Sequence, residues 1–305
     1  MKKALLIAGG GTLGTYTAEE LLRLGHSVDV ICLEDKVSDN PRLKYYKANA
    51  TLDYLKELFG CEHYDGIVNF IHYPNYEDYI PYHELLINNT EHLIFLSSYR
   101  IYADLQHPIT ESAPQLLDVI TDDPEFREKE DYALAKSRAE RFLNSCHYPQ
   151  NWTVVRPVIS FSDRRLDINM ISGRAVIEAA REGKALQLPI EAKDLTAGLD
   201  WAGNSGKLIA NLLFKEECKG EAYTISSAQN LKWSEVADIY TELLGVQFEW
   251  VTADFPNNLW SWRYDRAYDR SIDNSKVLNA TGLKASDFKS IKEGVYTELK
   301  KLGAI

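Results

Sequence analysis

Short apolar runs alternate with longer helical stretches along the first half of the chain. Residues 4–8 form a continuous apolar run, as expected for a strand that is buried on both faces. The same pattern predicts strands at residues 28–33, 66–71, 92–96 and 153–155. It predicts helices at residues 13–24, 51–59, 76–87 and 131–145. This alternation is typical of an α/β fold in which helices cover a parallel sheet.

The rhythm of the pattern changes at about residue 160. Helices are predicted at residues 168–182, 208–214, 234–244 and 291–302, and a strand at residues 222–225. Residues 260–270 are dense in tryptophan, tyrosine and arginine. We therefore expect a first domain at residues 1–160, onto which residues 194–215 pack back, and a smaller lobe at residues 161–305.

Composition and charge exclude several classes of protein. A chain of 305 residues can bury a sizeable core, and its net charge of −11 does not supply the basic face that nucleic acid needs. The four cysteines are widely spaced, and no histidine pair has metal-ligand spacing. No stretch approaches the length of a membrane span. We expect a cytoplasmic protein with no metal, no nucleic acid partner and no membrane partner.

A glycine-rich turn lies between the first strand and the first helix, at residues 8–14. Glycine permits a sharp turn and lets a pyrophosphate approach the main-chain N–H groups. The start of the helix adds unsatisfied donors and a positive partial charge. A glycine run alone is often only a turn, but this position favours dinucleotide binding. The candidate phosphate-binding residues are Gly11, Thr12, Leu13 and Gly14.

An acidic residue after the second strand often binds the adenosine ribose of a dinucleotide. Glu34 is near that position and could accept hydrogen bonds from the ribose hydroxyls, which would favour NAD. It could equally be a solvated loop carboxylate. Residues 32–35 contain no arginine or lysine that would bind a 2′-phosphate, so NAD is favoured over NADP.

Tyr132 and Lys136 lie four residues apart on a predicted helix, which puts the phenol and the ammonium on one face. A neighbouring positive charge favours the phenolate form that an acid/base tyrosine needs. Such spacing is often accidental in a chain with 18 tyrosines. However, Ser97 and Ser98 come straight after an apolar strand, where open α/β sheets bind their ligands. Ser98, Tyr132 and Lys136 are therefore the candidate catalytic residues, with Ser98 holding a substrate oxygen near Tyr132.

Together these residues resemble the extended short-chain dehydrogenase/reductase family, in its NAD-dependent epimerase/dehydratase branch. The resemblance spans nearly the whole chain. It is carried by Gly11, Gly14, Ser97-Ser98, Ile101-Tyr102, Pro108-Ile109-Thr110-Glu111, Tyr132, Lys136, Arg156-Pro157, Asp200-Trp201-Ala202, Tyr223-Thr224-Ile225 and Asp273-Asn274-Ser275-Lys276. It implies a Rossmann-like, doubly wound parallel sheet that binds NAD(P), with a smaller, mostly C-terminal substrate lobe.

The resemblance also implies roles for single residues. Tyr132 would be the acid/base, Ser98 its partner, and Lys136 a donor to the nicotinamide ribose. The remaining predicted cofactor residues are Asn49, which replaces the branch's aspartate near the adenine, together with Phe70, Ile71 and Pro157.

The glycine turn and the positions expected to contact the substrate depart from the pattern of this branch. Ala8 replaces the first glycine of the turn, a small change that the fold should tolerate. Ile159 stands where nucleotide-sugar epimerases have an asparagine. Lys193 stands where they have an arginine that grips the substrate pyrophosphate, and lysine keeps the charge without the bidentate geometry.

The predicted substrate-binding residues are Ser98, Arg164 and Lys193. Arg164 and its neighbour Arg165 could hold an anionic group or lie on the surface. Five residues of the aromatic stretch either line the substrate cleft or pack the lobe: Trp260, Trp262, Arg263, Tyr264 and Arg266.

The resulting expectation is an NAD(P)-dependent oxidoreductase, epimerase or dehydratase. It would act on a small hydroxyl-bearing substrate, such as a sugar or a nucleotide sugar, by Tyr-assisted hydride transfer. Two alternatives stay open, because a fold does not fix a function: a reductase of a small carbonyl compound, and a non-catalytic dinucleotide sensor. The resemblance also implies a homodimer.

Overall fold

The computed structural model describes residues 1–120, 123–129, 131–252 and 261–305. Its strands are Lys3–Ile7 (β1), Ser27–Cys32 (β2), Leu43–Lys47 (β3), Tyr64–Asn69 (β4), Thr90–Leu96 (β5), Trp152–Pro157 (β6), Ile159–Phe161 (β7), Ala185–Pro189 (β8), Leu199–Trp201 (β9), Glu221–Ile225 (β10) and Gln247–Val251 (β11). Its helices are Thr12–Arg23 (α1), Leu52–Cys61 (α2), Tyr76–Ile87 (α3), Leu116–Val119 (α4), Pro124–Lys129 (α5), Asp131–Ser145 (α6), Gly173–Glu182 (α7), Ala202–Leu212 (α8), Trp233–Leu244 (α9), Ser275–Thr281 (α10) and Ile291–Lys301 (α11). Within these described ranges, no helix is both long and apolar enough to cross a membrane.

Seven parallel strands form the central sheet, in the order β10-β6-β5-β4-β1-β2-β3. The chain winds outward from β1 to β3 in one direction and from β4 to β10 in the other. The strand order therefore reverses between β1 and β4, and such switch points are where open α/β sheets bind ligands. The doubly wound parallel sheet predicted from the sequence is confirmed.

Helices cover both faces of this sheet because its inner strands are apolar on both sides. Leu6 of β1 packs in one buried cluster with residues of α1 and α8. Its neighbour Leu5 points to the opposite face and packs with residues of α2 and α3. The close contact between α1 and α8 requires a glycine, because a Cβ at Gly206 would lie 2.6 Å from the backbone of Tyr16.

A third buried cluster consists mainly of residues that follow β6 and lie outside the large sheet, together with side chains from residues 99–113. It is formed by side chains of α7, α9 and α11 with the strand pairs β7–β9 and β8–β11. The chain nevertheless returns to the large sheet beyond residue 160. Its strand β10 pairs with β6, and Val277 of α10 packs in the same cluster as Ile225 of β10.

Two helices differ in extent from the sequence prediction. The helix predicted at residues 168–182 begins only at Gly173, because Asn169 has a positive φ of 51° and Ser172 caps the helix by accepting a hydrogen bond from the N–H of Ala175. The helix predicted at residues 208–214 instead spans Ala202–Leu212.

A buried ion pair fixes α6 against the sheet. Arg156 of β6 and Glu140 of α6 are 5% and 3% exposed, and the guanidinium donates Nε to Oε1 at 3.0 Å and Nη2 to Oε2 at 2.5 Å. Nη1 of Arg156 also donates to the hydroxyl of Tyr102 at 2.7 Å. Burial alone would lower the pKa of Arg156, but Tyr102 and Glu140 outweigh it and raise that pKa. The arginine therefore stays charged.

Replacing Arg156 by Met should lower the free energy of unfolding by about 3–5 kcal/mol, because it leaves the Glu140 carboxylate buried without its partner. Urea unfolding followed by circular dichroism would measure the loss. The double variant Arg156→Met/Glu140→Met should lose less than the single variant, since it buries no lone charge. A single-variant loss below about 1 kcal/mol, the size of a surface ion pair, would contradict this assignment.

Candidate functional site

The glycine-rich turn leads from β1 into α1. A Cβ at Gly14 would lie 2.2 Å from the carbonyl oxygen of Gly9, so only glycine fits where the helix meets the turn. Gly11 is the N-cap of α1, no side chain caps this helix, and a Cβ there would meet no atom within 4 Å. Ala8 adopts a φ of 55°, a region that favours glycine. The turn thus leaves open space at the start of α1.

A cavity of about 540 Å³ lies at the carboxyl ends of the inner strands, across the switch point. The predicted site residues that line it are Gly11, Thr12, Leu13, Gly14, Phe70, Ser98, Tyr132 and Pro157. The other lining residues are Ala8, Leu96, Ser97, Tyr99, Arg100, Val158, Ile159, Ser160, Arg165, Ser261, Asp265 and Arg266. The glycine turn and the Ser98/Tyr132 pair therefore share one cavity.

Tyr132 and Ser98 reach this cavity from different elements. Tyr132 lies in the first turn of α6, with the ring of His72 5.0 Å and the guanidinium of Arg100 5.3 Å from its ring centre. Ser98 lies two residues beyond the end of β5, is 4% exposed, and accepts a hydrogen bond from the N–H of Arg100 at 3.2 Å. Since the hydroxyl of Ser98 accepts that bond, its own hydrogen can donate to a ligand oxygen.

Lys136 is buried one helical turn beyond Tyr132. Its Nζ donates to the carbonyl oxygen of Leu96 at 2.6 Å, which ties α6 to the carboxyl end of β5. Burial lowers the pKa of Lys136 to about 7, against an opposing effect of Glu140. Lys136 is not among the residues that line the cavity, but Leu96, whose carbonyl oxygen its amine binds, is one of them.

The other predicted cofactor residues lie outside the cavity wall. Glu34 is exposed, its carboxylate lies against Gly10, and its Oε1 is 3.4 Å from Nη1 of Arg164. Asn49 is exposed and Ile71 is half-buried. The cofactor roles of Glu34, Asn49 and Ile71 stay predictions.

Two of the three predicted substrate residues also lie outside this wall. Arg164 pairs with Glu34, while its neighbour Arg165 lines the cavity. Lys193 is half-buried at the end of a short helical turn after β8. The substrate-binding roles of Arg164 and Lys193 stay predictions.

The aromatic stretch contributes one of its predicted candidates to the wall, Arg266. Trp260 lies outside the described residues. Sequence reasoning missed Arg100 and Asp265. Arg100 had a usable signal, because it follows Ser98 by two residues at the same strand end. Asp265 had none, since only the tertiary fold brings it to Arg100.

The chain resembles known proteins in its structure. No family model matches the chain, and no curated protein matches it. Similar solved structures include a dTDP-glucose 4,6-dehydratase from Bacillus anthracis in complex with NAD, with a TM-score of 0.71 and 17% identity over 98% of this chain and 96% of that one. The enzyme WbmG from Bordetella bronchiseptica, in complex with NAD and UDP, has a TM-score of 0.72 and 16% identity over 99% and 96%.

A third similar structure is the ADP-L-glycero-D-manno-heptose-6-epimerase of Helicobacter pylori, with a TM-score of 0.71 and 14% identity over 100% of this chain and 97% of that one. At such low identities these likenesses show the fold. The chain has the fold of these epimerases and dehydratases along its whole length, so the resemblance seen in the sequence is confirmed at the level of the fold.

The pKa of Lys136 predicts a pH-dependent stability. Because the folded-state pKa is lowered to about 7, the unfolded chain binds the extra proton between about pH 7 and pH 10, and the free energy of unfolding rises with pH in that window. Lys136→Met removes this contribution. The stability of the wild type relative to the variant should therefore increase by about 2 kcal/mol from pH 7 to pH 9, measured by urea unfolding.

The exposed lysine of α11 that pairs with Glu242 provides a matched control. Lys292→Met should leave the pH dependence as it is in the wild type. If the free energy of unfolding changed with pH by the same amount in the wild type and in Lys136→Met, Lys136 would not titrate as assigned.

Proposed function

We propose that this protein is an NAD(P)-dependent oxidoreductase, epimerase or dehydratase that acts on a hydroxyl-bearing substrate. One observation carries the proposal: the glycine turn and the pair Ser98 and Tyr132 line the same cavity, at the switch point of a doubly wound sheet. A dinucleotide on the turn would then share this cavity with an acid/base tyrosine.

The residues at the turn fit a dinucleotide. Gly11 leaves open space at the start of α1, which no side chain caps, and the first turn of this twelve-residue helix supplies N–H donors for a phosphate. Phe70, which follows β4, and Pro157, at the end of β6, add apolar walls to the cavity. Two of the similar structures have NAD bound, which supports the same cofactor here.

Glu34 supports NAD rather than NADP. Its pKa is lowered, first by a hydrogen bond from its own backbone and further by Arg164, so the carboxylate is charged at neutral pH. A charged carboxylate beside Gly10 would accept from ribose hydroxyls and repel a 2′-phosphate.

The nicotinamide, when bound, would exchange a hydride with the carbon that bears the reacting hydroxyl. Tyr132 would take the proton of that hydroxyl on oxidation and return it on reduction. Ser98 would donate a hydrogen bond to the same substrate oxygen. The predicted contact of Lys136 with the nicotinamide ribose would use its remaining N–H donors, and it would require the amine to turn toward the cavity, which Lys136 does not line.

Tyr132→Phe tests the catalytic assignment, because it removes the phenolic oxygen and keeps the ring. We expect turnover to fall by at least about 100-fold, the size of a general acid/base contribution, while the Kd of NADH changes less than about threefold. Since an epimerase consumes no net cofactor, turnover should be followed by nicotinamide absorbance and by chromatography of candidate nucleotide sugars, sugars and small carbonyl compounds.

The exposed tyrosine of α11 offers the control variant, and Tyr296→Phe should leave both turnover and binding unchanged. Wild-type turnover in Tyr132→Phe would contradict the assignment of Tyr132 as the acid/base. Absence of NADH and NADPH binding to the wild type would end the whole proposal. Cofactor binding without turnover of any class of substrate would favour the dinucleotide sensor.

A further inference from the structure

Buried arginines share one carboxylate beside the proposed active site. Asp265 is 2% exposed and contacts Nη1 of Arg266, and Nε of Arg270 lies 3.7 Å from its Oδ1. Nε of Arg100 lies 3.5 Å from its other oxygen. Burial alone would raise the pKa of Asp265, but these arginines outweigh it and lower that pKa. The carboxylate is therefore ionised.

Arg266 and Arg270 alone bring two positive charges to this one negative charge. Their side chains are 9% and 1% exposed, so water screens them weakly. The next acid that acts on Arg266 is Asp167, whose Oδ2 already pairs with Nε of Arg165 at 3.2 Å. Within the described ranges, the pair of guanidiniums therefore keeps an excess of buried positive charge.

Arg270 is held by the protein itself. It donates to the carbonyl oxygens of Tyr102 and Tyr264 at 2.9 and 3.1 Å, and its guanidinium lies 5.1 and 4.9 Å from the rings of Tyr99 and Tyr268. It does not line the cavity. Its role is structural.

Arg266 differs from Arg270 because it lines the cavity. Its Nε donates to the carbonyl oxygen of Asn169 at 3.3 Å, and its Nη1 contacts Asp265 and the hydroxyl of Tyr99. Its Nη2 has no hydrogen-bond partner among the residues that the structure describes. A guanidinium nitrogen with two N–H groups is thus available at the cavity wall.

The cluster is close to Tyr132. The guanidinium of Arg100 is 5.3 Å from the Tyr132 ring centre, and its Nε is 3.5 Å from Asp265, which contacts Arg266. Arg266 and Tyr132 also line the same cavity, so a ligand group bound at Arg266 would share that cavity with an oxygen held at Tyr132.

We propose that the substrate carries an oxyanion, a carboxylate or a phosphate, near its reacting hydroxyl, and that Nη2 of Arg266 binds it. The reaction part of this inference rests on the proposed function. The anion site itself rests on the buried charge and on the open donor. Charge-assisted bonds from arginine to carboxylate or phosphate oxygens are among the strong hydrogen bonds of proteins.

Isothermal titration calorimetry of the full chain with malonate, inorganic phosphate and neutral malonamide tests the site. We expect at least one of the two anions, malonate or phosphate, to bind at least about tenfold more tightly than malonamide. In Arg266→Lys, which keeps a positive charge beside Asp265 but loses the planar fork, that anion should bind at least about tenfold more weakly. Tighter binding of malonate identifies a carboxylate site, and tighter binding of phosphate a phosphoryl site.

Arg42→Lys is the matched control. Arg42 directly precedes β3, at the amino ends of the parallel strands and thus opposite the cavity, so this variant should bind anions as the wild type does. Phosphate could also bind at the glycine turn, but that binding would survive Arg266→Lys. Only the Arg266-dependent part of the affinity supports the inference.

Equal affinity for malonate, phosphate and malonamide in the wild type would overturn the inference, and this comparison needs no variant. Unchanged anion affinity in a folded Arg266→Lys would overturn it as well. NADH binding to the same samples separates the two proposals. Arg266-dependent anion binding without binding of either NADH or NADPH would refute the proposed function and leave the anion site standing. NADH binding without anion binding would refute only the anion site.

Discussion

The buried ion pair between Arg156 and Glu140 determines where the candidate catalytic helix lies. Tyr132, Lys136 and Glu140 follow one another at intervals of four residues, so they form one stripe on α6. Glu140 binds β6 and Lys136 binds the end of β5, so two neighbouring strands hold the helix. Tyr132 is the half-buried end of that stripe and lines the cavity. Its position relative to the glycine turn is therefore set by contacts deep in the sheet, because both strands belong to the same seven-stranded sheet as β1.

The central sheet could be predicted because its inner strands are continuous apolar runs and the glycines mark the turn after β1. Strand β3 was missed since it is an edge strand of the sequence Leu-Lys-Tyr-Tyr-Lys, half-buried and without a long apolar run. Strands β7 and β9 have three residues each, too few to establish a period. Helix α7 was predicted to start at residue 168 but starts at Gly173, because helix propensity alone does not show the positive φ of Asn169.

The candidate site was predictable where a side chain follows a strand or a turn directly. The glycine turn, Ser98 and Pro157 lie in the cavity wall for this reason, since the carboxyl ends of parallel strands meet at one edge. The arginine cluster was not predictable in this way. Asp265 and Arg100 are separated by more than half the chain, and their contact depends on how the later residues fold back over the sheet. The sequence predicted substrate contacts at Ser98, Arg164 and Lys193 and offered Arg165 and Arg266 as further candidates. Of these, Ser98, Arg165 and Arg266 line the cavity, together with Arg100, which the sequence did not single out.

Strand β10 has a consequence for how the chain acquires its structure during synthesis. It pairs with β6, yet Ile159–Phe161, Gly173–Glu182 and the other elements up to residue 220 lie between the two in sequence. A ribosome releases the chain from its N-terminus, and sheet pairings between distant segments form slowly. The edge of β6 must therefore stay open, with its N–H and C=O groups unpaired, until residue 225 has emerged. During that interval the nascent chain exposes a strand edge of the kind that promotes aggregation.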